Sequence, residues 1–543
     1  MFHPIFKHMV KRFIFTFLVL MGLMDAIYSQ SESDVLRFAQ TSPVGTARSL
    51  ALGGAFSAAG ADLSSAYLNP AGLALYRSSE FVVSPAFKLV NSDASYLGNS
   101  RNTSAQTLTL SNWGLAFYNP LYYDTGSAYE PATKGLVSYT FAFGQNQIDN
   151  YRREISVSGY NELSSITDMF VEWADGIFVE DLASSTSLAG MAFNTFLIDT
   201  LRGETNRYFP AVNDGRVQQS ARIIDEGRNN EWFLSLAGNV DDFIYVGLTV
   251  GIQSIRYERQ FLYREEDINN LHEFYQNLED NPAGFPLETP FNSLEFADNF
   301  TTRGLGINGR LGIIVRPSDF IRLGISAQSP TYFSLTDEFS SRMKHNLTFV
   351  TGATELEETS EPGQFEYNMT TPFRITFGGM YLLGKKGFIT ADVEYTDYTS
   401  SKLSNKNTDI NSIGFDDFED ANANIQELFK SALNIRLGAE ARIDIFRIRA
   451  GGALYGRALT DEALEYLDYP DASLMSLNNP DRRVLSFGLG LRQPNYSLDV
   501  TFVNQQQNEK LNPYNTASPN VFVPTIVNNK TVNSVVMSVG FKF

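Results

Sequence analysis

The chain ends in Thr531-Val-Asn-Ser-Val-Val-Met-Ser-Val-Gly-Phe-Lys-Phe543, and this stretch decides the fold. Every second residue from Val535 to Phe543 is apolar, and the residues between them are serine, glycine and lysine, apart from Val536. Strict alternation needs lipid or a protein core on one side of a strand and a polar medium on the other. The stretch therefore predicts a strand of a membrane barrel, with the terminal aromatic residue Phe543 as its contact for the barrel assembly machinery.

The same alternation recurs upstream. Six apolar residues from Leu433 to Ile443 alternate with polar or small ones, and a tight connection at Asp444 leads into a second alternating run, Phe446–Gly451, so the pair predicts a hairpin. Other short turns, predicted at the periplasmic rim, lie at 240–243, 316–319, 384–387 and 492–495.

Counting back from the C-terminus gives fourteen strands, an even number that lets the first strand pair with the last. They are predicted near 79–91, 103–118, 134–158, 229–240, 243–263, 300–316, 319–334, 368–383, 387–400, 430–443, 446–457, 482–492, 495–505 and 531–543. The long polar stretches between them are expected to be extracellular loops, at 161–228, 264–299, 335–367, 401–430, 458–481 and 506–530. A soluble β-sandwich also alternates, but the difference between short turns and long loops favours a transmembrane barrel.

Residues 1–30 have the layout of a secretory signal. Three basic residues precede an apolar run from Phe13 to Met24, which stops at Asp25. A bilayer-spanning helix needs about 20 apolar residues, so this run predicts a cleaved signal rather than an anchor. Export to the outer membrane of a Gram-negative bacterium is expected.

Composition excludes several classes of function. The chain has 42 Phe, 26 Tyr and 40 Gly, which is typical of many β-strands and not of a helical membrane bundle. It has no Cys, which excludes thiol chemistry, and its net charge of −19 argues against nucleic acid as a partner. After the signal only His272 and His345 remain, and they do not stand at metal-ligand spacing. We therefore expect no enzyme activity, no catalytic residues, no cofactor and no metal site.

The segment before the first predicted strand is rich in small residues. It runs from Thr46 through Ala-Arg-Ser-Leu-Ala-Leu-Gly-Gly-Ala-Phe to Asn69-Pro70-Ala71-Gly72. Small residues suit a chain packed inside a barrel, where backbones approach closely. The segment, together with the runs 371–381, 391–395 and 436–440, resembles the FadL/TodX-type outer-membrane transporters of long-chain fatty acids and other hydrophobic compounds.

This resemblance implies a hatch at residues 31–78, which plugs a barrel formed by 79–543 from the periplasmic side. It assigns gating to Asn69, Pro70, Ala71 and Gly72. An Asx-Pro turn that leads into the first strand explains the same residues, and the two readings are compatible. Ligand in that family enters at the extracellular loops, moves to a deeper pocket and leaves sideways through the wall, where a strand is kinked. The fold class expected is all-β, a fourteen-stranded antiparallel transmembrane barrel with an N-terminal hatch and helical extracellular loop insertions.

Apolar residues recur at helical spacing within the loop at 161–228 and are candidates for a ligand entrance. The candidates are Phe170, Trp173, Ile177, Phe196 and Leu197. An amphipathic loop helix buries its apolar face against a neighbour or offers it to a ligand. The pattern shows apolar faces and leaves open whether two loop helices simply pack on each other.

Our sequence-based hypothesis is a transporter for passive uptake of hydrophobic small molecules such as long-chain fatty acids, gated by the hatch. The partners expected are the hydrophobic ligand and the lipid and lipopolysaccharide of the outer membrane. The alternative is a barrel of the same fold that serves as a docking or shuttle component of protein secretion through its acidic loops.

Overall fold

In a computed structural model of the chain, the described residues fall into consecutive ranges. These are 32–40, 42–124, 129–201, 203–213, 215–269, 291–349, 352–406, 418–461, 463, 482–516, 518 and 521–543. The predicted signal at 1–30 lies outside them, as do the centres of several predicted loops.

The described strands close into one antiparallel barrel. Nineteen hydrogen-bonded segments join end to end into fourteen strands, because four of the strands are interrupted. The strands are β1 Glu80–Tyr96, β2 Asn99–Pro120, β3 Leu136–Asn150 with Arg153–Asn161, β4 Val217–Val240, β5 Ile244–Glu266, β6 Phe291–Ser318, β7 Ile321–Gln328 with Tyr332–Phe349, β8 Gly352–Thr359 with Gly363–Thr370 and Arg374–Leu382, β9 Gly387–Asp397 with Lys402–Asn405, β10 Ser431–Ile443, β11 Phe446–Tyr455, β12 Arg482–Arg492, β13 Tyr496–Leu511 and β14 Ile526–Lys542. The predicted number of fourteen is confirmed.

The barrel closes where its two ends in sequence meet. Strand β1 pairs with β14 from Glu80 opposite Lys542 to Ser95 opposite Val527. The short turns at 241–243, 444–445 and 493–495 lie at the same end as both of these strand ends. Because short turns mark the periplasmic side of such barrels, this end is the periplasmic one.

An apolar belt surrounds the outside of the wall. On β5 the side chains of Ile244, Val246, Leu248, Val250 and Ile252 are all exposed, whereas the residues between them face inward. In a protein of this size such a continuous exposed apolar surface is a lipid-facing one. The chain is therefore a membrane-spanning barrel of the outer membrane.

Above the belt the pattern along the longer strands β5, β6 and β7 reverses. On β5 the outward residues become charged at Arg256 and Glu258, and the buried inward residues become apolar, as at Phe261 and Tyr263. The strands thus continue beyond the membrane around an apolar core. The prediction of a loop at 335–367 was wrong for this reason, since β7 and β8 remain paired there.

The described helices fill the interior and the extracellular end. They are α1 Glu32–Ala39, α2 Ala47–Ala51, α3 Ser65–Leu68, α4 Ile166–Ala174, α5 Val179–Ser184, α6 Leu188–Asn194 and α7 Glu419–Leu428, with 3-10 turns at Pro70–Leu75 and Tyr398–Ser400. Among the helices described, none has the length and apolar character needed to span a bilayer. Two small hairpins pair Tyr122–Asp124 with Tyr129–Pro131 and Ile198–Thr200 with Tyr208–Pro210.

Candidate ligand pathway

Residues 42–78, here called the N-terminal segment, contact the inner wall on many sides. Their backbone groups bond to Asp392 of β9 and Ser538 of β14, and their side chains reach β6 and β7. Most of the segment is buried, with Leu52, Leu63 and Ala66 fully so. A chain that touches strands around a closed wall and is hidden from solvent lies within that wall, in the half nearest the short turns.

Asn69 joins the segment to the wall. Its Nδ2 donates to Ser57 O at 2.7 Å and, at 3.4 and 3.3 Å, to the carbonyls of Ile313 and Ile325 on β6 and β7. Its Oδ1 accepts from Ala71 N at 3.1 Å, which caps the 3-10 turn that Pro70 begins. The structure thus gives Asn69 both a turn-forming contact and wall contacts.

Three strand glycines leave room for this contact, and we call them the glycine seat: Gly247, Gly312 and Gly324. A Cβ on Gly312 would lie 1.9 Å from Asn69 Oδ1, and one on Gly247 would lie 2.3 Å from the Pro70 carbonyl carbon. A Cβ on Gly324 would lie 2.3 Å from Ser57 O. Further inward glycines meet the segment elsewhere, at Gly378, Gly438, Gly451 and Gly488.

Charged side chains on the inner wall pair with one another and with the N-terminal region. Arg310 donates through both Nη atoms to Glu231 at 2.7 Å, and Arg436 pairs with Glu394 at 2.8 Å. Asp392 accepts from the amides of Phe56 and Ser57 at 2.8 and 2.9 Å. Asp392 thus binds the N-terminal segment, whereas the Arg310–Glu231 and Arg436–Glu394 pairs are contacts within the wall.

A central cavity of about 200 Å³ lies beside α1 and the start of the segment. Its lining is largely polar and includes Arg37, Lys88, Arg153, Arg259, Arg482 and Lys530 with Asp149, Asp225 and Glu509. Asp225 accepts from Arg153, Arg259 and the hydroxyl of Tyr257, which orders one side. Six basic groups against three acidic ones make the cavity basic within an acidic chain. Sequence reasoning missed this cavity, because its six basic residues lie on six different elements.

The wall is broken beside this cavity. Backbone pairing between β2 and β3 ends at Asn112 opposite Asn146. Above it, in the described part of the chain, residues 99–111 and 147–161 share no backbone ladder, and we call this the wall break. Side chains bridge it, with Gln147 Nε2 donating to Thr109 Oγ1 at 2.8 Å. Strand β3 is itself interrupted at 151–152, next to the cavity.

The predicted entrance residues are divided between core and surface. Phe170 and Leu197 are fully buried in a cluster with Phe261, Phe296 and Met343 of the upper wall, and Ile177 packs on its edge. Trp173 and Phe196 are exposed, at 39% and 45%. The helical spacing held only in part, because α4 ends at Ala174 and α6 ends at Asn194. Residues 196–201 instead form a turn and a short strand, with Phe196 at a positive φ of 56°.

A second apolar cluster caps the lumen from above. Val35 and Phe38 of α1 pack with Tyr257, Tyr367 and Phe418, and α7 contributes Ile425 and Leu428. Arg37 lies over the ring of Tyr257 at 4.2 Å. The central cavity is therefore bounded by α1 on one side and by the N-terminal segment below.

Comparisons with known proteins point to one fold. No family model and no curated protein matches the chain. The solved structure of a Pseudomonas aeruginosa FadL homologue is 13% identical, covers 93% of this chain and 100% of that one, and superposes with a TM-score of 0.52. The P. putida toluene transporter TodX is 12% identical, with 92% and 99% coverage and a TM-score of 0.48. The Ralstonia pickettii toluene transporter TbuX is 13% identical, with 92% and 98% coverage and a TM-score of 0.46. At these identities the likeness to the FadL homologue establishes the fold.

Proposed function

We propose that this chain, which has the fold of FadL-type outer-membrane barrels, is a channel for passive uptake of hydrophobic small molecules, long-chain fatty acids among them. The observation that carries the proposal is a cavity that is closed towards the periplasm and borders a break in the wall. Ligand enters from the extracellular side, passes the cavity and leaves sideways through the wall break. Residues 31–78, which include α1 and the N-terminal segment, act as the hatch, with Asn69, Pro70, Ala71 and Gly72 as its gating residues.

The closed periplasmic end supports a sideways exit. The glycine seat leaves no space between the wall and the segment at Asn69 and Pro70. Asp392 and Ser538 hold other parts of the segment against the wall. A molecule larger than water in the cavity therefore meets protein below it, and the wall break is the nearest exit.

The two edges of the wall break, here called its lips, are residues 99–111 of β2 and 147–161 of β3, and they suit an apolar cargo. Leu108 is 80% exposed and Leu110 is 38% exposed on the outer side of β2. Each CH₂ group moved from water into hydrocarbon gains about 0.8 kcal/mol, so an acyl chain at the break is drawn towards lipid without an energy source. Three side-chain hydrogen bonds cross the break among the described residues, from Gln147 to Thr109, from Thr103 to Glu154 O and from Asn99 to Ser158 O, which is a small barrier compared with a backbone ladder.

The polar cavity refines the class of cargo. Lys88 and Lys530 lie among its basic groups, and half-buried ammonium groups favour a partner of opposite charge. An amphiphile with a carboxylate and an apolar tail satisfies both the cavity and the lips. On the extracellular side we assign the first contact to the exposed Trp173 and Phe196, with Phe170, Ile177 and Leu197 as the support beneath them.

A reversible lock across the wall break tests the exit. The chain has no Cys, so a Thr109→Cys, Gln147→Cys pair places the only two thiols on the two lips. We expect oxidation to stop uptake of labelled oleate and labelled toluene in cells that lack other uptake barrels, and reduction to restore it.

The matched control is a second cysteine pair placed just below the break, where β2 and β3 are joined by their backbone ladder. Asn112 and Asn146 are directly opposite, so an Asn112→Cys, Asn146→Cys lock fixes strands that are already paired and leaves uptake unchanged. Heat-modifiable migration on gels checks that each barrel is folded. If the oxidised Thr109→Cys, Gln147→Cys variant takes up both probes at the normal rate, the sideways exit is refuted. If the reduced variant takes up only oleate or only toluene, the class of cargo is restricted to compounds like that probe.

A further inference from the structure

Arginine side chains gather where the lumen opens to the periplasm, below the N-terminal segment. Arg442, Arg447 and Arg449 flank the turn at 444–445, and Arg492 precedes the turn at 493–495. All four occupy inward positions of their strands, as does Glu440. Arg48 approaches them from α2 of the segment.

These arginines share very few carboxylates. Glu440 Oε2 is 2.7 Å from Arg449 Nε and 3.9 Å from Arg48 Nε. Its Oε1 is 3.2 Å from Arg442 Nε and 4.0 Å from Arg447 Nε. One carboxylate therefore serves four guanidinium groups.

A second carboxylate completes the pairing. Asp499 takes Arg449 Nη1 on one oxygen and Arg492 Nη1 on the other, both at 2.7 Å. Nη2 of Arg449 is buried without a hydrogen-bond partner among the described residues, and the whole residue is only 1% exposed. The Nη2 atom of Arg449 can therefore still donate a hydrogen bond to a ligand among these arginines.

Another arginine extends the group along the segment. Arg322 of β7 donates to Ala59 O at 3.2 Å, and Arg48 donates to the next two carbonyls, Gly60 O and Ala61 O, at 3.0 and 2.9 Å. Besides the hydroxyl of Tyr245, the groups that act on Arg322 are Arg316, Arg48 and Arg442, which carry a charge of like sign. Asp62, also near Arg48, is held by Thr46 Oγ1 at 2.9 Å.

The balance of charge in this rim cluster is strongly positive. Its six arginines are Arg48, Arg322, Arg442, Arg447, Arg449 and Arg492, and its three carboxylates are Asp62, Glu440 and Asp499. Glu80, which lies near Asp62 and Arg492, and Lys542, which is opposite it on β14, cancel each other. Three positive charges are left in excess. Like charges brought together with partial loss of solvent repel one another. The chain as a whole carries −19, so the excess is local.

We propose that the rim cluster is a binding site for a small periplasmic oxyanion of the phosphate or carboxylate type. Forked guanidinium groups bind both oxyanions through paired hydrogen bonds. Arg442 and Arg492 have 38% and 22% of their side chains exposed, so the site opens to the periplasm. Because Arg48 and Arg322 also hold carbonyls of the segment, a bound oxyanion removes repulsion between them and keeps the segment in place.

The test uses the whole barrel in nanodiscs, with inorganic phosphate as the probe and chloride at equal ionic strength as its control. Phosphorus NMR line broadening reports binding, and maleimide labelling of an Ala66→Cys variant reports opening of the segment, because Ala66 is fully buried. At ten times its dissociation constant, phosphate slows labelling about 11-fold by linkage. Equal effects of phosphate and chloride overturn the proposal.

Substitutions at the exposed edge make the test specific. Arg442→Gln and, separately, Arg492→Gln weaken phosphate binding tenfold or more, while Arg77→Gln leaves it unchanged. Arg77 is a matched control because it is an exposed rim arginine paired with Asp242 outside the cluster. Arg442→Lys keeps the charge and loses the fork, so binding weaker than wild type supports a built site. Binding of phosphate by Arg442→Gln at wild-type affinity contradicts it.

Discussion

Replacing Asn69 with Ala removes the contact that joins the N-terminal segment to the wall. Asn69 is 1% exposed, and its side chain satisfies Ser57 O and Ala71 N–H within the segment. Both groups are left buried and unpaired in Asn69→Ala. We expect the segment to open more often while the barrel stays folded, because no strand ladder depends on this side chain.

The magnitude follows from the groups left unpaired. A buried polar group without a partner costs about 1–3 kcal/mol, so two such groups cost about 2–6 kcal/mol, and the long contacts to Ile313 and Ile325 add little. Even the lower end, about 2 kcal/mol, increases the open population roughly 30-fold.

The assay is the rate of maleimide labelling at a buried Ala66→Cys, measured with and without Asn69→Ala. Urea unfolding of the barrel, followed separately, should change far less than labelling. Uptake of labelled oleate is expected to fall at normal barrel abundance if the seated segment shapes the pathway.

Gly312 supplies a check on the same contact. Overpacking in Gly312→Ala forces Asn69 Oδ1 away and is expected to cost about 1–3 kcal/mol. The free-energy effects of substitutions at residues in contact do not add. The destabilisation caused by Gly312→Ala should therefore be smaller in the Asn69→Ala background. Gly309→Ala on the same strand is the control, because the nearest atom to its Cβ is 4.0 Å away. Additive effects of Asn69→Ala and Gly312→Ala would refute the seat.

Three further outcomes are expected. Glu231→Gln leaves Arg310 charged and unpaired in the wall, and should lower the free energy of unfolding by about 3–5 kcal/mol in urea titration; full stability would contradict the pairing. Phe170→Ala should destabilise the docked loop by about 3–5 kcal/mol in hydrogen exchange, whereas Trp173→Ser should leave exchange unchanged and slow uptake of an apolar probe. Burial raises the pKa of Glu265, which accepts from Ile166 N at the extracellular end of β5, to about 7. The docked state therefore favours the protonated acid and loses stability as pH rises from about 4.5 to 7. The protection factors of α4, which are exchange rates corrected for the intrinsic pH dependence of amide exchange, should be lower at pH 8 than at pH 5. Protection factors that do not change with pH would oppose this role.

Sequence predicted the membrane part of the wall well, because lipid imposes one rule on every strand there. An outward apolar residue at every second position marks β10 and β14 without ambiguity. The rule fails above the membrane, where water lies outside and an apolar core inside. The stretch from Leu335 to Thr359 accordingly looked like a polar loop, although it forms paired strands.

The candidate pathway was less predictable, because its parts come from distant positions. The Asn69 motif could be identified, but its partners Gly312 and Gly324 are ordinary strand glycines in sequence. The wall break is the absence of a ladder beyond Asn112 and Asn146, and no residue type marks it. Lys88 and Lys530 share a cavity only because the barrel closes.

The contact between Ala47 N–H and Ser538 Oγ, 2.8 Å long, joins positions 491 residues apart. The part of the barrel interior that is exported early thus has binding partners in the strands that are exported last. It must wait, unburied, until β11, β12 and β14 have formed, and it must already be inside when β14 meets β1. We therefore expect the seam between the first and last strands to close last, and we expect a chaperone that shields small apolar residues before this step to raise the yield of folded barrel.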